Sequence, residues 1–227
     1  MTLAISTDWS DEPEAMVHLV AERQAAWEAR CETYPALRRA LFDSRDRPAW
    51  LLGRTGKIGA SDAASFSKVT SAPLYLKAKL NPSFHGNTST QHGNDREPFI
   101  LAAYNLEQNF TLFASADNPR HVATPDSIIL GAGELTLSQV KTTVKDLYKI
   151  PPTYQRQMLW EQYVMGADRT LFIWEKHTNY VPDEMEPVSQ WFYRDDIQIA
   201  KLVTIANLVL TGMDEAEAFR KDLQEQL

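Results

Sequence analysis

The chain has 227 residues, is 44% hydrophobic and 23% charged, and carries a formal net charge of −7. This composition suits a globular protein able to bury one large core or two small ones. The acidic balance argues against a coat protein that binds nucleic acid by phosphate neutralisation alone. It leaves room for an enzyme in which divalent cations supply local positive charge.

Cys31 stands alone, so neither a disulfide framework nor a thiolate zinc cluster is available. No apolar run approaches the ~18 residues of a membrane span. The opening MTLAISTDWSDEPEAM lacks the basic and apolar regions of a secretory signal, so a cytoplasmic compartment is expected. Basic residues cluster locally as Arg54, Lys57 and Lys68, and as Lys141, Lys145 and Lys149. Each cluster reads either as solvated surface or as a patch for a polyanion.

In chain order, apolar positions at Met16, Leu19, Val20, Ala25, Trp27, Leu37 and Leu41 predict two helices over 13–43, broken near Tyr34-Pro35. Residues 44–61, with Gly53, Gly56 and Gly59, read as a loop. A short helix follows at Asp62, capped by Ser61 or Asp62, and another over 73–79. Residues 81–92 are polar and turn-rich, which puts His85 and His92 in an exposed loop. A long helix is predicted over 93–108, with Pro98 in its first turn, where a missing N–H costs little.

Phe110–Ala114 reads as a strand. Val122–Thr124 and Ser127–Leu130 flank Pro125-Asp126. The Gly131-Ala132-Gly133 turn then joins Ser127–Leu130 to an alternating strand over Glu134–Thr143 as a hairpin. Pro151-Pro152 opens a helix over 153–165 that Gly166 ends. Thr170–Glu175 is a strand, 187–210 a long helix and 213–226 an amphipathic one. Strands interspersed with helices predict one α/β domain with a mixed central sheet.

Three pieces carry chemistry: Glu97 in a helix, Asp126 where a strand leaves the core, and Gln139-Val140-Lys141 on the next strand. Phosphodiester hydrolysis needs an attacking hydroxide, neutralisation of the pentavalent state and help for the leaving oxygen. Two Mg²⁺ ions can supply all three, and Mg²⁺ is content with two or three carboxylates plus waters and phosphate oxygens. Side chains 139 and 141 share a strand face, so residue 139 can coordinate while Lys141 addresses the attacking water. The plain alternative makes Asp126 a turn residue and Lys141 an exposed strand lysine.

Several stretches in order resemble the lambda-exonuclease-type alkaline exonucleases, or YqaJ-like viral recombinases, of the PD-(D/E)xK nuclease superfamily. Trp50-Leu51-Leu52-Gly53-Arg54-Thr55-Gly56-Lys57-Ile58-Gly59-Ala60-Ser61 is similar to W-x-x-x-R-x-G-x-I-x-A-S. Gly93–Glu97 is similar to G-x-x-x-E, Thr124-Pro125-Asp126 to S-P-D, and Gln139–Thr143 to E-x-K-[CT]-[PT]. Tyr154, Gln157 and Trp160 resemble the glutamine helix that follows, and Leu171–Glu175 the next strand. The resemblance covers about 50–177.

It implies a restriction-endonuclease-like core within a single nuclease domain over 1–227, with N-terminal helices over 1–48, the core over 49–177 and C-terminal helices over 178–227. It implies Glu97 and Asp126 as metal ligands, the Val140 carbonyl as a third, and Mg²⁺ as cofactor with Mn²⁺ able to substitute. Lys141, Gln139 and Gln157 would be catalytic. Arg54 and Ser61, with Lys57 nearby, would hold a terminal 5′-phosphate, for which a planar guanidinium is well suited. Trp50 reads as core packing.

The family has an acidic residue where this chain has Gln139. Glu134, five positions earlier, faces the other way and lies ~16 Å off. A site that works with glutamine, an inactivated variant, and a protein that binds without cutting all remain open. The leading expectation is a Mg²⁺-dependent 5′→3′ exonuclease on double-stranded DNA ends. It would serve phage-type strand-annealing recombination as a ring-shaped homotrimer with a single-strand annealing protein, phage- or prophage-encoded in a bacterial host. A ring would concentrate basic groups in its channel despite the acidic total. The alternatives are a restriction- or defence-type endonuclease and a catalytically silent DNA-binding subunit. No G-x-S-x-G elbow or P-loop motif occurs.

Overall fold

The structure, a computed structural model, describes residues 12–81 and 87–225. Helix α1 (Glu12–Thr33) runs unbroken. In place of the second expected helix stand a 3₁₀ turn (Pro35–Arg39) and strand β1 (Ala40–Asp43). Pro35 cannot continue the α1 ladder. The Arg39 guanidinium then donates to the carbonyls of Ala114 and Val164, at 2.8 and 2.9 Å, which ties the segment to the core. Tertiary pairing overrides the helical spacing here.

The expected loop over 44–61 contains helix α2 (Arg47–Arg54). Asp46 caps it by accepting from the Ala49 N–H at 3.2 Å, and Pro48 occupies the first turn. Gly53 is tolerated inside it because the Phe42 ring occupies the space of a β-carbon. Helix α3 (Ala60–Ala63) starts from Gly59 rather than from Ser61 or Asp62. Asp62 sits inside it and accepts the Gly59 N–H at 2.8 Å. Helix α4 (Ala72–Leu80) falls close to its expected place.

Helix α5 (Thr88–Ala103) begins earlier and ends earlier than expected, under an Asn87 cap that accepts from Thr90 N at 2.9 Å. Pro98 therefore lies in the helix interior, not the first turn, and deprives the Asn94 carbonyl of its usual donor. His92 lies on α5 with its ring 4.5 Å from that of His177, not in an exposed loop. His85 lies outside the described residues.

Strands β2 (Thr111–Ala114) and β3 (Val122–Ala123) complete a small antiparallel sheet in the order β1–β2–β3. The chain then crosses through Thr124-Pro125-Asp126 into a second sheet. Its strands are β4 (Ser127–Gly131), β5 (Glu134–Thr143), β6 (Arg169–Thr178), β7 (Val181–Pro182) and β8 (Val188–Tyr193). β4 and β5 form the expected hairpin, with Ser127 opposite Ser138 as its last pair. β5 runs parallel to β6 across the crossover helix α6 (Pro152–Met165), and β8 pairs antiparallel with β6. The sheet is mixed and flanked by helices, as the α/β expectation has it.

Residues 187–210 are not one helix. β8 comes first, and α7 (Asp196–Glu225) then continues unbroken through the separate helix expected at 213–226. Strands β1, β7 and β8 accordingly lie in the terminal segments expected to be helical.

The main core gathers where α6 meets α7 and the sheets. Trp160, Val164, Leu137, Ala206 and Ile205 are buried there, and the Trp160 indole N–H donates to the Val122 carbonyl at 3.0 Å. Each of the Val, Leu and Ile side chains among them contributes roughly 1.5–3 kcal/mol of burial. By length and composition alone α7 could cross a membrane. Its Ile199, Leu202, Ile205, Ala206, Val209 and Leu210 are buried in this core, while Ile197 and Leu208 are exposed.

Candidate active site

β4 stops pairing at Ser138, while β6 continues alongside β5 as far as Thr143. Residues 139–143 of β5 therefore have one open edge. Asp126, the residue just before β4, fills its start. Its Oδ2 accepts the backbone N–H of Val140 at 2.6 Å and the side-chain amide of Gln139. The Val140 carbonyl leaves the strand on the same edge as its N–H. The Pro-Asp turn is braced by Asn109, whose N–H donates to the Asp126 carbonyl and whose side chain donates to the Pro125 carbonyl, both at 2.8 Å.

Helix α5 packs on the Val140 face of β5 through Ile100 and Leu101. This puts Glu97 in one ≈ 580 Å³ cleft with Asp126, Trp50, Gln108 and Thr124. Gln108 donates to Glu97 Oε1 at 2.8 Å. Burial and then the neighbouring Asp126 push the Glu97 carboxyl up to about 7, against the pull of Gln108 and Lys141. Asp126 is raised as well, because burial outweighs Lys141 and the hydrogen bonds from Val140 and Gln139. Lys141 lies over Tyr154, 5.6 Å from the ring centre, and also lines a neighbouring cleft with Glu97, Val140 and Gly93.

Gln139 is fully buried, and its amide is committed at both ends: Oε1 accepts from Gln157 Nε2 at 2.6 Å, which leaves its own Nε2 to face Asp126. Its oxygen thus points to helix α6, not to the Asp126 side. Glu134 ends up exposed, paired to Arg169 at 3.0 Å, and takes no part in the site.

A smaller cleft of ≈ 180 Å³ adjoins the first through Trp50 and Thr124, and brings Arg54, Ser61, Gln157 and Glu161 together. Arg54 donates to the Ser61 hydroxyl at 3.1 Å and lies 4.6 Å from the Trp50 ring centre. Gly59 makes room for that pose, since a β-carbon there would meet Arg54 Nη2 at 2.7 Å. Lys57 sits on the α2–α3 connection and does not line this cleft. Trp50 packs on Leu112, Ala114 and Val122 while also lining both clefts.

Hard oxygens, two of them on carboxyls whose proton affinity is raised chiefly by burial, form a donor set that fits Mg²⁺ or Mn²⁺. Among the described residues no three carboxylate, imidazole or thiolate side chains form a ready-made cage, so such an ion would draw its remaining ligands from the Val140 carbonyl, water and substrate.

The YqaJ-like viral recombinase domain matches residues 49–168, more than half of the chain. The chain belongs to this family. The fold of this YqaJ-like recombinase is similar to that of an alkaline exonuclease (LHK-Exo) from Laribacter hongkongensis. The TM-score is 0.62 at 20% identity, covering 79% of this chain and 100% of that one. The same exonuclease in complex with dAMP gives 0.60 at 19% identity, with the same coverage. A phage related exonuclease from Haemophilus somnus 129PT gives 0.54 at 14% identity, covering 72% and 96%. The comparison with curated proteins found no match.

One acidic residue of this YqaJ-like recombinase falls outside the expected set. Glu161 is fully buried on α6, four residues after Gln157, whose Nε2 donates to Glu161 Oε1 at 3.1 Å. Burial, then Asp126, drive its carboxyl well above the usual range, with Glu97 adding to the effect. The i, i+4 spacing from Gln157 was the available signal, because it places both side chains on one helix face.

Proposed function

We propose that this YqaJ-like recombinase is a divalent-cation-dependent deoxyribonuclease that degrades double-stranded DNA from its ends in the 5′→3′ direction. The observation that carries the reading is the meeting of Glu97, Asp126 and Lys141 beside the open edge of β5, next to a cleft holding Arg54 and Ser61. A bound divalent cation would supply Lewis acidity, an activated water and charge neutralisation.

Glu97, Asp126 and the Val140 carbonyl would hold that cation. Lys141 would position the attacking water and stabilise the charge that develops on the phosphate. Arg54 and Ser61 would seat a terminal 5′-phosphate, and Gln157 would brace the wall between the two clefts. A similar exonuclease has been solved in complex with dAMP, in keeping with a nucleic-acid substrate for this chain.

By family resemblance the protein works as a homotrimer with a single-strand annealing protein in the bacterial cytoplasm, serving phage-type recombination. Exposed apolar residues such as Phe99, Tyr193 and Ile197 are consistent with self-assembly. Light scattering of the purified chain tests the trimer.

The deciding assay compares linear 5′-phosphorylated duplex, its dephosphorylated twin and closed circular plasmid, each with Mg²⁺, Mn²⁺ or EDTA. Cleavage of the phosphorylated linear duplex alone, abolished by EDTA, is expected. Degradation of closed circles would identify an endonuclease instead. The engagement of the Gln139 oxygen by Gln157 favours one second reading, a DNA-binding subunit without cleavage. Inactivity in both metals, persisting in Gln139→Glu, would establish it.

A further inference from the structure

We propose that Glu161, on helix α6, supplies the carboxylate charge that the cation site of this chain lacks at position 139. The inference rests on the nuclease reading above and deepens it.

Gln139 brings no charge, and its only side-chain oxygen is taken by Gln157. The same Gln157 nitrogen donates to Glu161 Oε1, so residues 139 and 161 share one partner and sit on either side of it. Glu161 is fully buried, yet its Oε2 has no hydrogen-bond partner among the described residues. A buried carboxyl oxygen left without a hydrogen bond is unfavourable, and more so when the group is charged. That cost is relieved when a cation sits against it.

Glu161 also lines the cleft that contains Arg54 and Ser61. A terminal phosphate seated there would bring a second negative charge towards Glu161. A divalent cation held in the adjoining site would offset that charge. Gln and Glu are nearly equal in volume, so exchanging the two residue types between strand and helix keeps the packing while moving the charge by one side chain. Read this way, Gln139 is neither a gap nor an inactivation. It is half of a pair whose charge resides on Glu161.

Mn²⁺ binding by calorimetry, without DNA, tests this on the full chain. Glu161→Gln should lower Mn²⁺ affinity about tenfold or more. The double variant Gln139→Glu/Glu161→Gln should return it to within about threefold of the parent. The metal-free melting temperature of Glu161→Gln should hold or rise, while its rise on adding Mn²⁺ shrinks. A merely structural Glu161 gives the reverse: a lower melting temperature with the Mn²⁺ response intact.

On the unaltered protein, Mn²⁺ should broaden the side-chain carboxyl NMR signal of Glu161 along with that of Asp126. Unchanged Mn²⁺ affinity in Glu161→Gln, or a Glu161 signal left sharp while Asp126 broadens, would overturn the proposal. Absence of Mn²⁺ binding in the parent chain is a separate result, because it removes the nuclease reading itself.

Discussion

The carboxylate of Asp126 accepts the backbone N–H of Val140 at 2.6 Å, standing in for the ladder partner that β4 no longer provides. One side chain thus both ends a strand pairing and fixes the register of the segment carrying Lys141. Asp126→Asn should retain much of the fold, since the amide oxygen can still accept that N–H. Cleavage of linear duplex should fall by at least ~10²-fold, with circular dichroism unchanged. Comparable turnover by a folded Asn variant would remove Asp126 from the chemistry.

Metal-free stability should fall as pH rises from about 4.5 to about 7. Glu97 has its ordinary carboxyl pKa of 4.5 in the unfolded chain and one of about 7 when folded. Between those values the folded state binds the extra proton, so each step up in pH favours unfolding. Once Glu97 is ionised in both states the slope from this group vanishes. Saturating Mg²⁺ should flatten the decline, because the ion favours the carboxylate form. Thermal melts from pH 4.5 to 8, with and without Mg²⁺, measure it; a metal-free stability that rises through this window contradicts a Glu97 carboxyl raised by burial and Asp126.

The guanidinium of Arg96 grips Glu175 with two bonds, at 2.9 and 2.6 Å, and pins α5 to β6 one residue before Glu97. Arg96→Ala leaves Glu175, only 5% exposed, without that partner. Because the Arg96 side chain is itself 29% exposed, the loss should be milder than for a fully buried pair, about 2–3 kcal/mol in urea unfolding. Cation affinity should fall with it, since Glu97 loses its anchor.

Gly59→Ala places a β-carbon where Arg54 Nη2 now lies, at 2.7 Å. Only the end of a flexible side chain has to move, so stability should change little. The displaced guanidinium should reduce the preference for 5′-phosphorylated over dephosphorylated duplex about tenfold, read as a ratio of kcat/KM values. An unchanged ratio would place the terminal phosphate elsewhere.

Much of the scaffold around the candidate site was legible because its parts obey local rules. Alternation on either side of Gly131-Ala132-Gly133 predicted the β4–β5 hairpin, and Pro151-Pro152 with Gly166 bounded α6. The Gly166 φ of 71° explains that stop, as a left-handed terminal residue favours glycine. β8 was hidden because its burial does not alternate cleanly, so its apolar residues blend into the helical pattern that follows. Asp195, which accepts the Gln198 N–H at 3.0 Å, marked the true helix start. At α2, the Asp46 cap and Pro48 outweighed the glycines that suggested a loop. Glu161 escaped notice for a different reason: a glutamate amid buried residues acquires meaning only when the fold sets it beside Gln139.

The single strand of chain through Thr124 and Pro125 is also the joint between the two sheets, with Asp126 at its far end. The proposed cleavage centre would therefore straddle a mechanical seam. On that reading, a duplex gripping the β1–β3 side would transmit its pull through that joint to the carboxylate, coupling how firmly an end is held to how readily it is cut.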